Sequence, residues 1–342
     1  MSQSVLGLDI GFCNNKYCLS VDGEVQIGLG PVGVMLDTSS NGLTTPNIKD
    51  SVSVQVGDKQ YLAEVPSFQA EHEKKRCLND TYPFTDEYQA LYYASLLKTG
   101  LEVIDTLVVG LPVDLFTGEM KAGMTVEDYR EKLAKRLKGK HQITEKHAVK
   151  VKKVKIIPQP TGGYMHALAK GKLGEKKDSQ KVVLVVDPGF FSFDWAGLVN
   201  GEVKKEYCNS DCELAVSKVL EKAASLMTRA EGFRVSKENL EYAIQNGEKH
   251  ISVTKNDVEY QEYIDKVMGM DEMKSMLKNA LTNDLRTTNA EIGTVVMVGG
   301  GAGYYSPLIE ELYPHANVIE FSNEESVTVN AQGFCVYGLN CG

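Results

Sequence analysis

One short pattern occurs twice in this chain. Residues 6–16 read Leu-Gly-Leu-Asp-Ile-Gly-Phe-Cys-Asn-Asn-Lys, and residues 182–194 read Val-Val-Leu-Val-Val-Asp-Pro-Gly-Phe-Phe-Ser-Phe-Asp. Each is an apolar run, then Asp-x-Gly, then small or polar residues that resume an apolar pattern. That order describes a buried strand, a tight turn carrying one carboxylate, and a second strand. Gly11 and Gly189 allow each turn backbone angles closed to other residues and let its N–H groups approach an anion. Asp9 and Asp187 stand at the same offset in the two hairpins, roughly half a chain apart. Together they could grip a polyphosphate and its metal from opposite sides. Two copies suggest two similar domains closing on a nucleotide.

The bulk numbers agree with this division. A chain of 342 residues is too long for one ordinary core. Apolar residues at 42% and charged residues at 24% describe a soluble globular protein. The net charge of −9 argues against a general nucleic-acid binder, which needs clustered Lys and Arg. Basic stretches at residues 135–140 and 150–155 read as solvated helix and strand faces. No apolar run approaches the roughly 18 to 20 residues that span a bilayer. The first four residues lead straight into a strand, leaving no room for a signal peptide. The seven cysteines are odd in number and mostly in apolar contexts. Cys208 and Cys212 have no second pair nearby to complete a zinc site. Reduced thiols and a cytoplasmic location are therefore expected, with no membrane partner.

Strand and helix patterns alternate along the chain. Strands are expected at 4–11, 15–21 and 24–28, then at 51–56 and 60–63 within a Gly-, Pro- and Thr-rich stretch. A helix over 86–98 starts with Asp and ends with Lys before Gly100. A strand at 103–111, a helix at 126–137, a strand at 148–157 and a helix at 161–170 follow. Residues 171–180, rich in Gly and Lys, read as a linker. After the second hairpin, helices are expected at 211–230, 236–246 and 258–284, the last with Gly269 as a break. Then come a strand at 294–298, helix 305–312, strand 318–319 and helix 324–337. Such an alternation, run twice, is α/β with two related mixed sheets.

A third element has the same flavour. Residues 295–302, Val-Val-Met-Val-Gly-Gly-Gly-Ala, are a buried strand running into a loop without side chains. It ends a strand, where open α/β sheets bind ligands. A flat backbone there would let adenosine and its α-phosphate lie against the main chain. The loop does not match the P-loop pattern.

These three segments resemble the two phosphate motifs and the adenosine motif of the actin-like ATPases. Pro158-Gln159-Pro160 resembles that superfamily's first connecting motif, and Asn330-Ala-Gln-Gly333 its second. All five occur in the family order over nearly the whole chain, with most similarity to plasmid-segregation actins of the ParM type and their archaeal relatives. The resemblance implies an actin-like two-domain fold: duplicated ribonuclease H-like mixed sheets flanked by helices, with an interdomain nucleotide cleft. Domain I would be 1–160, completed by the C-terminal helix 324–342, and domain II 161–323.

It also implies roles. Asp9 and Asp187 would hold Mg²⁺, through water, as a cation that keeps several waters prefers. Lys16 would place positive charge on the β- and γ-phosphates. The segment Gly11, Cys13, Asn14, Asn15 and Lys16, and the segment Gly189, Phe190, Phe191 and Ser192, would cradle phosphate oxygens. Gln159 would orient the attacking water. Many relatives carry Glu there, and Gln is a very poor base, so slow hydrolysis governed by positioning is expected. Gly299, Gly300, Gly301 and Ala302 would line the adenosine pocket. Glu213, Lys237 and Glu238 are candidates for adenine and ribose contacts, with exposed helix charge as the plainer reading. Phe190 and Phe191 replace the Gly and Thr of many relatives.

The resemblance thus implies ATP, ADP after hydrolysis, and Mg²⁺ as ligands. The second connecting motif lies about ten residues from the end of the sequence, so no peptide-binding region of the heat-shock type is expected. A filament-forming ATPase is the leading expectation. It would self-associate and position plasmid DNA through a DNA-binding adaptor, without binding nucleic acid directly. A small-molecule kinase is the alternative, with Asp105 or Asp114 as its base. GTP in place of ATP stays open.

Overall fold

Two sheets with one strand order organise the chain. The computed structural model describes residues 3–37, 48, 50–70, 81–117, 124–173, 181–253, 256–286 and 291–340. The expected linker at 171–180 lies mostly outside them, as do Cys77 and Cys341. Two units separate: Met1–Lys172 with Thr328–Gly342, and Leu173–Val327.

The first unit begins with β1 (Ser4–Ile10), β2 (Asn14–Val21), β3 (Glu24–Pro31), β4 (Gly33–Leu36), β5 (Val52–Val56) and β6 (Lys59–Val65). It continues with α1 (Ser67–Ala70), α2 (Asp86–Lys98), β7 (Val103–Leu111), α3 (Asp114–Thr117) and α4 (Val126–Leu137). β8 (Gly139–Gln142), β9 (Ala148–Pro158) and α5 (Pro160–Ala169) follow. Its main sheet runs β3-β2-β1-β7-β9-β8, and a smaller one runs β4-β6-β5. β1 is antiparallel to β2 and parallel to β7.

The helix ends follow from local chemistry. The Thr85 side chain accepts from the Tyr88 N–H to start α2, with Asp86 and Glu87 in its first turn. Thr125 and Asp128 form a capping box on α4. Leu6 and Leu8 of β1 share a core with Tyr88, Leu91 and Leu96 of α2 and Leu133 and Leu137 of α4. Val5 belongs to another cluster, with Cys18, Ala331 and Cys335. The last two come from α11 (Asn323–Asn340). Close approach there requires glycine: a Cβ on Gly333 would sit 1.8 Å from the Gly162 carbonyl oxygen of α5.

The second unit holds β10 (Val182–Pro188), β11 (Phe193–Val199), β12 (Glu202–Asp211), α6 (Val216–Glu231) and α7 (Lys237–Gln245). Then come β13 (His250–Val253), β14 (Asn256–Glu259), α8 (Gln261–Met268), α9 (Asp271–Arg286), β15 (Ile292–Met297), α10 (Ala302–Leu312) and β16 (Asn317–Ile319). The sheet order is β12-β11-β10-β15-β16. Strand for strand this repeats β3-β2-β1-β7-β9, and β10 is again antiparallel to its hairpin partner and parallel to the next strand. Leu184, Val186, Phe193 and Trp195 of this sheet pack with Val219, Leu220 and Ala223 of α6 and Tyr305 and Ile309 of α10.

Three expectations change. The helix expected from 211 begins at Val216, because residues 202–211 form strand β12. The helix expected from 258 begins at Gln261, because Asn256–Glu259 form strand β14. Strands β4, β8 and β13 are additional to those expected. Among the described residues, no helix is long and apolar enough to cross a membrane.

Candidate functional site

The two hairpins close in the same way. The Gly11 N–H donates to the Asn14 carbonyl at 3.1 Å, and the Gly189 N–H donates to the Ser192 carbonyl at 2.8 Å. In the ladders Asp9 pairs with Lys16, and Asp187 pairs with Asp194. The duplication therefore extends to the turns. It also spends the N–H groups of Gly11 and Gly189 on closing those turns.

In the first unit, Asp9 is the penultimate residue of β1, at 2% exposure. The Lys16 ammonium lies 2.7 Å from its Oδ2. Burying a carboxylate without such a partner is costly. Gln159 is placed by its backbone, whose N–H donates to the Leu111 carbonyl at the end of β7 at 2.8 Å. Its Nε2 donates to Asp9 Oδ1 at 3.4 Å. A carboxylate can only accept, so the amide nitrogen faces Asp9 and the amide oxygen remains to accept from a water. Three of the expected residues, Asp9, Lys16 and Gln159, thus meet.

Asn15 does not join them through its side chain. It is fully buried, and its Nδ2 donates to Glu64 Oε1 and Ser95 Oγ, both at 2.8 Å. Lys98 is ion-paired to Glu64. Glu64 is 2% exposed and holds a left-handed φ of 59°. Asn15 therefore anchors the hairpin from below, and only its backbone faces the turn. Cys13 and Asn14 are half-buried in the turn itself. The network linking Asn15, Glu64, Ser95 and Lys98 carries no local sequence signal, since its members lie far apart in the chain.

In the second unit, Asp187 is the penultimate residue of β10, at 3% exposure. Gly299 approaches it so closely that a Cβ there would sit 2.2 Å from Asp187 Oδ1, and Gly299 has a φ of +80°. Its N–H donates to the Ser326 carbonyl at 3.0 Å, and the Ser326 hydroxyl donates to the Gly299 carbonyl at 2.7 Å. Gly301 is crowded by Val216 and Pro188. Gly300 is exposed, and a Cβ there would meet nothing within 4 Å. Of the three glycines, then, Gly299 and Gly301 are required by packing, and Gly300 presents open backbone. Ala302 starts α10 and is buried.

Ser192 donates its hydroxyl proton to Asp194 Oδ2 at 2.6 Å. The α6 start is bound to the same loop: Val216 N–H donates to the Gly189 carbonyl and Ser217 N–H to the Phe190 carbonyl, each at 3.0 Å. Phe190 packs against the core of this unit, and the Lys237 ammonium stands 6.0 Å from its ring centroid. Phe191 is half-buried. Lys237 and Glu238 occupy the first turn of α7. The Glu213 carboxylate is 68% exposed, 3.9 Å from Lys218.

The Lys152 hydrogen bond, aided by Ser4, holds the Asp105 carboxyl down at about 2, and Asp114 starts α3. Cys208 is buried and Cys212 exposed. Among the described residues no group of three His, Cys, Asp or Glu could hold a metal. Mg²⁺ brought by a nucleotide needs only one or two carboxylates besides phosphate and water, and each unit holds one buried at its hairpin, Asp9 in the first and Asp187 in the second.

Residues 7–162 match the family model for the N-terminal domain of actin-like proteins. No curated protein matches the chain by sequence. Among solved structures, an archaeal actin homologue superposes with a TM-score of 0.75 at 18% identity, covering 97% of this chain and 98% of its own. That homologue has also been solved in complex with ADP. The ParM of a 15-stranded filament from Clostridium botulinum gives a TM-score of 0.67 at 14% identity, with 99% of each chain covered. Apo psk41 ParM gives 0.61 at 15%, covering 98% and 97%. At such identities the likeness is one of fold. The chain takes the actin-like fold, and its residues 7–162 are similar to the N-terminal domain of actin-like proteins.

Proposed function

We propose that this protein is an ATP-hydrolysing, filament-forming member of the actin-like group, acting as ParM proteins do to position plasmid DNA through an adaptor. The observation that carries the reading is the pair of Asp-x-Gly hairpins in two sheets of one strand order, closed by matching Gly11–Asn14 and Gly189–Ser192 hydrogen bonds. Each hairpin would offer its loop to phosphate oxygens. Lys16 would turn from Asp9 toward the β- and γ-phosphates, where charge redistributes during transfer. Mg²⁺ would neutralise phosphate charge, with Asp9 and Asp187 as its carboxylates. Gln159, oriented by Asp9, would hold the attacking water by its amide oxygen. With no strong base at that position, hydrolysis is slow and set by positioning. Adenosine would lie on the open backbone at Gly300. The ADP complex of the archaeal relative and the ParM filament support nucleotide binding and self-association.

Phosphate release by Asp187→Ala tests the assignment. The variant should keep its fold and lose ATP hydrolysis. A folded Asp187→Ala protein turning over at the wild-type rate would remove the second hairpin from the site.

A further inference from the structure

The ladder between β8 and β9 sets Lys140 directly opposite Lys150, and both are exposed. Opposed residues of an antiparallel pair share a face, and like charges there repel. Neither lysine has an acidic partner among the described residues. Lys152, next but one to Lys150 and also exposed, is held at 2.6 Å by Asp105. The reverse side of these strands is closed, with His141, Val149 and Val151 buried. Residues 132–155 carry ten Lys or Arg and one acidic residue, Glu145. Some of that charge is structural. Arg136 donates to Gln89 and to the carbonyls of Phe84 and Thr85, and Lys132 stands over the Phe84 ring. Lys155 stands over the Tyr337 ring at 5.2 Å, whereas Lys140 and Lys150 have no such employment among the described residues. A repulsive pair exposed across the edge strand β8 and its neighbour β9, in a chain of net charge −9, is suited to an anionic surface.

The chain itself carries the counter-charge. Residues 173–327, the second unit, hold 26 acidic against 16 basic residues. The imbalance is steepest near its end. Residues 287–342 contain six Glu and no Lys or Arg, and five of those Glu fall within 310–325. Glu310, Glu311, Glu320 and Glu324 are exposed at the end of α10, after β16 and at the start of α11. Lys274 binds Glu311 at 3.0 Å.

We infer that the Lys140–Lys150 face of one copy receives the acidic Glu310–Glu325 surface of a second copy. The inference rests on the self-association proposed above and names its contact. In the filament proposed above the contact is heterologous, each copy giving its lysine face to one neighbour and its acidic surface to the next. Being exposed and charged, it is screened by salt and acts strongly on encounter.

The test is sedimentation with ATP and Mg²⁺ between roughly 50 and 300 mM KCl. It uses wild type, Lys140→Glu/Lys150→Glu, Lys140→Gln/Lys150→Gln, and the glutamate pair combined with Glu310→Lys/Glu320→Lys. The wild-type critical concentration should rise with salt. At low salt the glutamate pair should raise it about tenfold or more, the glutamine pair less, and the combined swap should recover part of the loss. Thermal unfolding and nucleotide affinity of the lysine variants should match wild type. If both lysine variants assemble like wild type with the same salt dependence, the face is not the contact, while self-association stands. If instead they lose affinity for a DNA duplex and assemble normally, the face serves nucleic acid and the inference falls. A wild type that sediments at no salt overturns self-association and this contact together.

Discussion

Gly299 and Gly300 are neighbours in one loop, yet alanine at each should do opposite things. At Gly299 the φ of +80° places an L-residue in the left-handed region, which costs about 1–2 kcal/mol. The new Cβ would also sit 2.2 Å from Asp187 Oδ1, where real contacts stay beyond 3.0 Å. The carboxylate, 3% exposed near the end of β10, has little room to yield. Overpacking of this kind adds about 1–3 kcal/mol. Gly299→Ala should therefore lower the stability of the second unit by about 3 kcal/mol and displace a proposed metal carboxylate. Gly300→Ala meets nothing within 4 Å and has no positive φ, so it should stay within about 0.5 kcal/mol of wild type. A methyl on the surface proposed to hold adenosine should still weaken nucleotide binding about tenfold. Urea unfolding followed by tryptophan fluorescence reads this cleanly. Trp195 is the only tryptophan, 2% exposed on β11 beside β10. The midpoint should move for Gly299→Ala and not for Gly300→Ala. Equal midpoints for the two variants would refute the packing argument, and unchanged nucleotide affinity in Gly300→Ala would refute the adenosine assignment.

Gln159→Ala should slow phosphate release roughly 10²-fold while leaving nucleotide affinity intact, and its filaments should outlast those of wild type. Light scattering and phosphate release on one sample check this, and outright loss of ATP affinity would make Gln159 a structural residue. Lys98→Met should cost about 3 kcal/mol in urea unfolding, because it strips the charge partner from Glu64, itself 2% exposed. Adding Glu64→Gln should recover most of that loss, and a purely additive double variant would contradict the pairing. Asp105 has its folded pKa lowered from 3.8 to about 2, so its stabilising pairing is complete above the unfolded value and disappears as pH falls toward 2. Asp105→Asn should flatten the acid limb of stability between about pH 4 and pH 2, measured by thermal melts, and an unchanged limb would show that the pairing is idle.

The sequence exposes what is written locally. The helix at Asp86–Lys98 is bounded by Thr85, the acidic first turn and the final Lys, all adjacent in the chain, so its expected and observed bounds coincide. The hairpins were equally plain because Asp-x-Gly dictates the turn. Features set by partners far away were hidden. β12 reads Glu-Val-Lys-Lys-Glu-Tyr-Cys-Asn-Ser-Asp, too polar to look like a strand. It stands at a sheet edge with much of its length exposed. β8 is another edge strand, only four residues long. The inward turn of Asn15 depends on Glu64, 49 residues away, and on Ser95, 80 away. No local pattern could announce it. The distinct duties of Gly299, Gly300 and Gly301 likewise come from Asp187, Pro188 and Val216.

The central claim is that nucleotide governs assembly. The direct measurement is sedimentation of the purified chain at low salt with ATP and Mg²⁺, with ADP and Mg²⁺, and without nucleotide, with phosphate release followed in parallel. The account predicts pelleted polymer with ATP, little with ADP or without nucleotide, and polymer that declines as phosphate appears. A protein that hydrolyses ATP while staying a soluble low-order species under all three conditions would contradict it and return the small-molecule kinase reading to first place.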